Sequence, residues 1–312
     1  MELTHSDVKD AAERVTGQVR PVAVAQADSA GELWFALEFL QHTGSFKARG
    51  ALNFLLSHRE NGTLPPVGVT IASGGNAGLA CAWAARNQGI PATVFLPATA
   101  PRVKVDRLTS YGAEVRLVGT QYADALAASR EFADNTGALL SHAYDNPLIA
   151  AGAGTLMTEI QERIPDLGTV VVAVGGGGLF SGVATAADHY GVRTVAVEPA
   201  RCRALHAAIT AGRVVDVEVD SIAADSLGAR RASEMALAAA RQYDVESVLV
   251  EDAAISSARR GLWEERRIAV ECGAATALAA ILGDEPAFRP APGERVCVVL
   301  CGANTDPADL AM

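Results

Sequence analysis

Runs of β-branched and apolar residues recur along this chain, each followed by a longer alanine-rich stretch whose apolar positions repeat with helical spacing. VGVTIA (67–72), ATVFL (92–96), AEVRLV (113–118), TVVVAV (169–174), RTVAVE (193–198) and RVCVVL (295–300) read as strands. Several are apolar at every position rather than at alternate ones, so neither face is meant to meet water. Such strands belong at the centre of a parallel sheet covered on both sides by crossover helices. The helical spacing predicts helices over 6–16, 45–59, 76–88, 101–111, 121–135, 147–163, 178–190, 232–241, 253–266 and 272–282. An α/β protein is therefore expected. SHAYDNPLIAAGAG (141–154), rich in turn residues and glycine, separates three βα units from a second series, which predicts two lobes, each a twisted and mostly parallel sheet flanked by helices.

Charge and length narrow the function classes. With 312 residues, half of them hydrophobic, the chain can bury one or two sizeable cores. Its net charge of -10 and the lack of any basic stripe argue against a nucleic-acid partner, because such binders draw most of their affinity from clustered Lys and Arg. No stretch reaches the roughly 18 uninterrupted apolar residues of a membrane span. The amino terminus, MELTHSDVKDAAERV, is polar and amphipathic, which predicts no secretory leader. Five cysteines at spacings that fit no zinc or disulfide framework suit a reducing, cytoplasmic compartment.

Four segments could carry chemistry. In HTGSFKARGALNFLL, Thr43, Gly44 and Ser45 supply a turn and an N-cap ahead of an apolar helix, placing Lys47 in its first turn. The positive end of a helix disfavours an ammonium by a few tenths to about 1 kcal/mol, and burial would lower the amine pKa further, leaving a neutral nucleophile. From this segment alone a solvated surface lysine beside an ordinary helix is the alternative. Only Lys9, Lys47 and Lys104 of the 26 basic residues are lysines, so primary-amine chemistry has three candidates. In TIASGGNAGLACAWAARNQG, a strand ends in Ser73, Gly74, Gly75, Asn76 and Ala77 and opens into a helix. The unpaired amides there, with the Ser73 hydroxyl and the Asn76 amide, suit a carboxylate, and a plain tight turn is the alternative.

In VVVAVGGGGLFSG, Gly175, Gly176, Gly177 and Gly178 follow a buried strand and precede a helix. Each glycine in regular structure costs roughly 0.5–1 kcal/mol, so a phosphate-cradling nest explains the run better than chance. No Gly-Lys-Ser/Thr follows, and Phe180 or Ser181 stands at the last glycine of the dinucleotide fingerprint. Glu198, about twenty residues on, keeps a nicotinamide reading open. In VCVVLCGANTD, Cys301 ends a buried strand at the edge where ligands bind in α/β sheets, or is simply a packed core thiol.

HTGSFKARGA, SGGNAGLACAWAARNQGIPATVFLP, VGGGGLFSG and CGAN together resemble the serine/threonine dehydratase branch of the tryptophan-synthase-β-like (fold type II) pyridoxal-phosphate enzymes, over nearly the whole chain. The resemblance implies that Lys47 holds pyridoxal 5'-phosphate covalently, that Phe46 packs on its pyridine ring, and that Asn76 contacts the ring hydroxyl. It implies that Gly175, Gly176, Gly177 and Gly178 hold the phosphate, that Cys301 meets the pyridine nitrogen, and that Ser73, Gly74, Gly75, Asn76 and Ala77 bind the substrate carboxylate. It also implies a larger lobe of 1–45 and 146–312, a smaller inserted lobe of 46–145, and a homodimer. The expected reaction is β-elimination from a small β-hydroxy amino acid such as L-threonine or L-serine, giving a 2-keto acid and ammonia. A neutral thiol at the pyridine nitrogen weakens the ring as an electron sink, which favours prompt loss of a β-substituent over a long-lived carbanion.

The sequence also departs from relatives. His42 stands where many have proline, and Ala77 where many have histidine. Gly74 replaces the serine that racemases of this family use as a second acid/base, so racemisation is expected to be weak. Glu198, a metal ligand in some members, is followed by Cys202 and Ala204 instead of oxygen ligands, so no metal is expected. The chain ends soon after the Cys301 loop, so feedback control by isoleucine is not expected. The rival readings are β-replacement, elimination from hydroxyaspartate, racemisation, a silent ligand-binding protein of the same fold, and a nicotinamide oxidoreductase.

Overall fold

In the computed structural model, which describes residues 3–310, the strands divide between two sheets; residues 1–2 and 311–312, at the ends of the expected larger lobe, lie outside the described residues. The strands are β1 (Val24–Gln26), β2 (Leu33–Ala36), β3 (Val69–Ala72), β4 (Ala92–Leu96), β5 (Glu114–Leu117), β6 (Leu139–Leu140), β7 (Leu167–Ala173), β8 (Arg193–Pro199), β9 (Val245–Val250) and β10 (Arg295–Val299). The helices are α1 (His5–Val15), α2 (Lys47–Glu60), α3 (Asn76–Asn87), α4 (Arg102–Ser110), α5 (Tyr122–Thr136), α6 (Pro147–Arg163), α7 (Gly178–His189), α8 (Ala204–Ala211), α9 (Ala224–Leu227), α10 (Glu234–Gln242), α11 (Asp252–Arg266) and α12 (Cys272–Ala279).

The larger sheet runs β1-β2-β10-β7-β8-β9, and the smaller runs β5-β4-β3-β6. Every pairing is parallel except β1 with β2, where Ala25 opposes Phe35. The expectation of mostly parallel α/β sheets flanked by helices therefore holds. Val170, Val171 and Val172 of β7, Val195, Ala196 and Val197 of β8, and Val298 and Val299 of β10 are all buried, as uniformly apolar central strands must be. No helix of the described residues is long and apolar enough to cross a membrane.

The strand predicted at 67–72 starts at Val69. Gly68 turns with φ +83°, and a Cβ on it would stand 2.0 Å from the Pro91 carbonyl oxygen. Strands β1, β2, β6 and β9 were not expected. The first three are two to four residues long, and β9, VESVLV, alternates in burial as an edge strand with one solvated face. Helices α8 and α9 were also missed, being only eight and four residues long. The helix predicted to begin at 45 begins at Lys47.

Two close glycine contacts bring the site-bearing helices together. A Cβ on Gly152 of α6 would stand 2.7 Å from the Arg49 carbonyl oxygen of α2, and one on Gly154 would stand 2.6 Å from the Gly182 carbonyl oxygen of α7. The backbone of α6 thus touches α2 on one side and α7 on the other. This locks the helix that starts at Lys47 to the helix that starts at Gly178. Gly154→Ala or Gly182→Ala is expected to cost about 1–3 kcal/mol by overpacking. Thermal denaturation should show a melting temperature roughly 2–10 °C lower. An unchanged Tm would mean the helices yield freely and are not held by this contact.

Candidate active site

The segment before α2 is held in an unusual backbone. Thr43 has φ +63° and Gly44 φ +75°. For β-branched Thr43 this left-handed conformation costs roughly 1–3 kcal/mol and must be over-determined by its surroundings. Asn304 Nδ2 donates to the Thr43 carbonyl at 2.8 Å, and the Ala303 amide donates to the Gly44 carbonyl at 2.9 Å. Ser45 is extended and bridges Gly302, while the Phe46 amide donates to the Cys301 carbonyl at 3.0 Å. The expected Ser45 N-cap is corrected here. Phe46 occupies the position before α2, and among the described residues the buried Ser45 and Thr43 hydroxyls have no hydrogen-bond partner. An isolated bridge to Gly302, in the segment after β10, holds Ser45 in place of a helix-cap role.

Lys47 is the first residue of α2. Its Nζ donates to the Ala143 carbonyl at 2.9 Å and lies 4.7 Å from the Phe46 ring centroid. Burial lowers the Lys47 pKa to about 8, against smaller opposing pulls from Cys301 and Glu271. An amine with that pKa is substantially neutral and nucleophilic near pH 8, which ordinary lysines are not.

Ser73, Gly74 and Gly75 link β3 to α3, whose N-terminus has no side-chain cap. The Gly75 amide donates to Ser73 Oγ at 3.4 Å. A Cβ on Gly78 would stand 1.8 Å from the Ser73 carbonyl oxygen, so only glycine lets the first turn of α3 close against the loop. Asn76 begins α3. Its Nδ2 donates to both carboxylate oxygens of Glu271 at 3.0 Å, and its Oδ1 accepts from Asn304 Nδ2 at 2.6 Å. Ala77 is buried.

Gly175, Gly176, Gly177 and Gly178 follow β7 and lead into α7, also without a side-chain cap. A Cβ would stand 3.0 Å from Leu227 Cα at Gly175, 2.4 Å from the Tyr144 ring at Gly176, 2.3 Å from Ala236 Cβ at Gly177 and 2.9 Å from the Tyr144 carbonyl oxygen at Gly178. Gly177 also has φ +99°. The run is therefore dictated in part by neighbouring chain, and not by a ligand alone. Lys47 and this loop meet on one segment, since Ala143 accepts from Lys47 and Tyr144 covers Gly176. A small cavity lined by Phe46, Lys47, Ala143, Gly178 and Leu179 joins them. A larger cavity of about 560 Å³, bordered by Asp145, Glu234, Met235 and Tyr243, contains none of the expected site residues.

Cys301 lies two residues beyond β10, buried, and burial followed by Glu271 pushes its thiol pKa well up, so it stays protonated. Glu271, itself raised by burial, lies within electrostatic reach of both Lys47 and Cys301. A Cβ on Gly302 would stand 2.5 Å from its Oε1, so that glycine makes room for the carboxylate. Two cations of α4 bond to residues distant in sequence: Lys104 Nζ donates to Asp225 Oδ1 of α9 at 2.8 Å and Arg107 Nη2 to Asn304 Oδ1, beyond β10, at 2.5 Å. Glu271 and Tyr144 were not identified from sequence, and Asn304 was read there only as a member of the CGAN segment. Of the first two, Glu271 alone left a signal there, as the one acid inside the apolar run IAVECGAATALAA.

These groups suit a phosphorylated aldehyde. A desolvated amine is placed to form a Schiff base, the bare amides at the start of α7 suit a phosphate, and a neutral thiol sits nearby. Glu198, in contrast, is engaged elsewhere. Its carboxylate accepts from the amides of Leu205 at 2.8 Å and His206 at 2.7 Å, and burial raises its pKa to about 8. Among the described residues no group of three or more His, Cys, Asp or Glu is arranged to hold a metal.

The family described as pyridoxal-phosphate dependent enzyme matches residues 15–302. The chain is 35% identical to an L-threonine ammonia-lyase of Geobacter sulfurreducens, over 97% of this chain and 76% of that one. It is 36% identical to a serine dehydratase-like protein of Rattus norvegicus, over 93% of this chain and 90% of that one. Maize serine racemase superposes with a TM-score of 0.92 at 29% identity, covering 100% of this chain and 96% of that one.

The lowered pKa of Lys47 predicts the pH dependence of cofactor loading. The neutral amine reacts, so incorporation of pyridoxal phosphate into apoprotein, followed by visible absorbance, is expected to accelerate as pH rises with a midpoint near about 8. A midpoint above about 10, that of an ordinary lysine, would show the amine to be solvated.

Proposed function

The chain belongs to the pyridoxal-phosphate dependent enzymes and is a lyase of that family, and on that premise we propose that it eliminates the β-hydroxyl of a small amino acid such as L-threonine or L-serine, releasing a 2-keto acid and ammonia. The observation that carries this reading is the desolvated Lys47 amine, held at the Ala143 carbonyl and within reach of a protonated Cys301.

Lys47 would hold the cofactor, Phe46 would pack on it, the amides of Gly175, Gly176, Gly177 and Gly178 would take its phosphate, and Asn76 and Cys301 would face the ring. Pyridoxal phosphate supplies, when bound, an electron sink for negative charge at the substrate α-carbon. The rest falls to this chain's residues. Ser73, Gly74, Gly75, Asn76 and Ala77 receive the substrate carboxylate at the uncapped start of α3, where amide donors and the helix dipole favour an anion. Glu271 and Asn304 fix the Asn76 amide from both ends, so its orientation is set before substrate arrives. Lys47 Nζ, once freed, accepts the α-proton. The Cys301 thiol cannot protonate a pyridine nitrogen as a carboxylic acid would, which favours loss of the β-substituent.

Gly74 supports elimination over racemisation. It offers no hydroxyl to protonate the opposite face, although the space would admit one: a Cβ there would meet only the end of Leu96, at 3.0 Å, and the Lys104 stem at 3.6 Å. The cleft is proposed to lie between a smaller lobe of 46–145 and the remainder, in a cytoplasmic homodimer.

A product assay over L-threonine, L-serine and 3-hydroxyaspartate tests the reading. It should give 2-keto acid and ammonia from the first two, with almost no D-isomer by chiral chromatography. Gly74→Ser should raise racemisation by about tenfold or more. Wild-type racemisation as fast as keto-acid release would replace the proposal with a racemase, and preference for 3-hydroxyaspartate would redirect it to an acidic substrate.

A further inference from the structure

Arg49 lies two residues beyond Lys47 on α2, and so on nearly the opposite side of the helix. Its side chain is completely enclosed. Nε and Nη2 donate to Glu38 Oε1 at 2.6 Å and Oε2 at 3.1 Å, a fork on one carboxylate. Nη1 and Nη2 donate to Glu159 Oε1 at 2.6 Å and Oε2 at 3.2 Å, a second fork. Thr155 Oγ1 at 3.2 Å and the Arg20 carbonyl at 3.3 Å complete the shell. Every nitrogen of the guanidinium is thus occupied. Glu159 also accepts from the Val22 amide at 2.6 Å, and Gln41 binds Arg20 through both ends of its amide.

Each partner sits on an element that bears on the site. Glu38 belongs to the turn Glu38–Leu40, whose Phe39 amide donates to the Leu300 carbonyl at 2.9 Å, one residue before Cys301. Glu159 and Thr155 lie on α6, which touches α2 through Gly152 and α7 through Gly154. One buried arginine therefore joins the back of the Lys47 helix to the segment after β10 that carries Cys301 and to α6, which packs on the helix that follows the glycine loop. A buried ionic cluster is a weak source of stability, since removing such charges in favour of apolar packing is often neutral or better. What a doubly forked guanidinium supplies is direction and distance.

We propose that Arg49 is a positioning residue which, through Glu38 and Glu159, sets where the Lys47 amine and the Cys301 thiol stand relative to each other and to the cofactor ring. This rests on the reading that Lys47 carries the cofactor and Cys301 faces it. The test compares holoenzyme of the wild type with Arg49→Lys, Arg49→Met, Glu159→Gln and Lys47→Ala, measuring kcat and KM for L-threonine and the visible circular dichroism of the bound cofactor, below each variant's melting temperature.

Arg49→Lys keeps the charge but cannot fork. It should lower kcat about tenfold or more while KM changes less than about threefold, and weaken the visible dichroism. Glu159→Gln, which spares the Glu38 fork, should give the same signs at smaller size. If Arg49→Met fails to fold, these two carry the test. Wild-type kcat and dichroism in Arg49→Lys, with only a lower melting temperature, would overturn the proposal. Should Lys47→Ala keep the visible band of covalently bound cofactor, the functional reading above falls instead, which distinguishes the two failures.

Discussion

A primary amine held out of water at the first turn of a helix is the constraint around which this protein is arranged. A charged ammonium there would be disfavoured both by lost solvation and by the positive end of α2, and the structure resolves this by lowering the Lys47 pKa rather than by supplying a carboxylate partner in contact. It donates instead to a backbone carbonyl, Ala143. The adjacent features follow from keeping that amine in place: the left-handed Thr43 and Gly44 before it, the pairing of Ser45 and Phe46 to Gly302 and Cys301 just beyond β10, and the ionic clamp behind it.

The two sheets meet through polar contacts as well as packed helices. Arg107 of α4, Asn304, Asn76 of α3 and Glu271 form a continuous hydrogen-bonded chain, and Lys104 of α4 with Asp225 of α9 adds an exposed pair. Exposed pairs of this kind contribute little, on the order of 0–1 kcal/mol. The half-buried stretch from Asn304 to Glu271 matters more, because the Glu271 carboxyl, its pKa raised by burial, is satisfied by Asn76 and Asn76 is oriented by Asn304. The residue that begins α3 is therefore aligned by two groups distant from it in sequence, Glu271 and Asn304.

Much of this was legible in the sequence. Strands buried on both faces are apolar throughout, so β3, β4, β7, β8 and β10 announced themselves and implied parallel sheets. The edge strand β9 and the short strands β1, β2 and β6 did not, because their burial is partial or their length too small for a period to register. Lys47 was legible because lysine is rare here and sits at a helix start. The glycine run was legible as a loop, but its cause was only half visible. Tyr144, Leu227 and Ala236, distant in sequence, each exclude a side chain from it. Ser45 looked like a cap because capping is a local signal, and its pairing with Gly302 is a contact made 257 positions away. Asn304 was legible only as a member of CGAN and Glu271 only as a lone acid in an apolar run, since the contacts that give them roles are made with residues far away in sequence.

Reduction of the holoenzyme with borohydride, followed by peptide mass spectrometry, tests the central claim most directly, because the chain offers only Lys9, Lys47 and Lys104 as side-chain amines. The account predicts a pyridoxyl group fixed to Lys47 and to no other residue. Modification of Lys9 or Lys104 in its place, or no fixed cofactor at all, would contradict it.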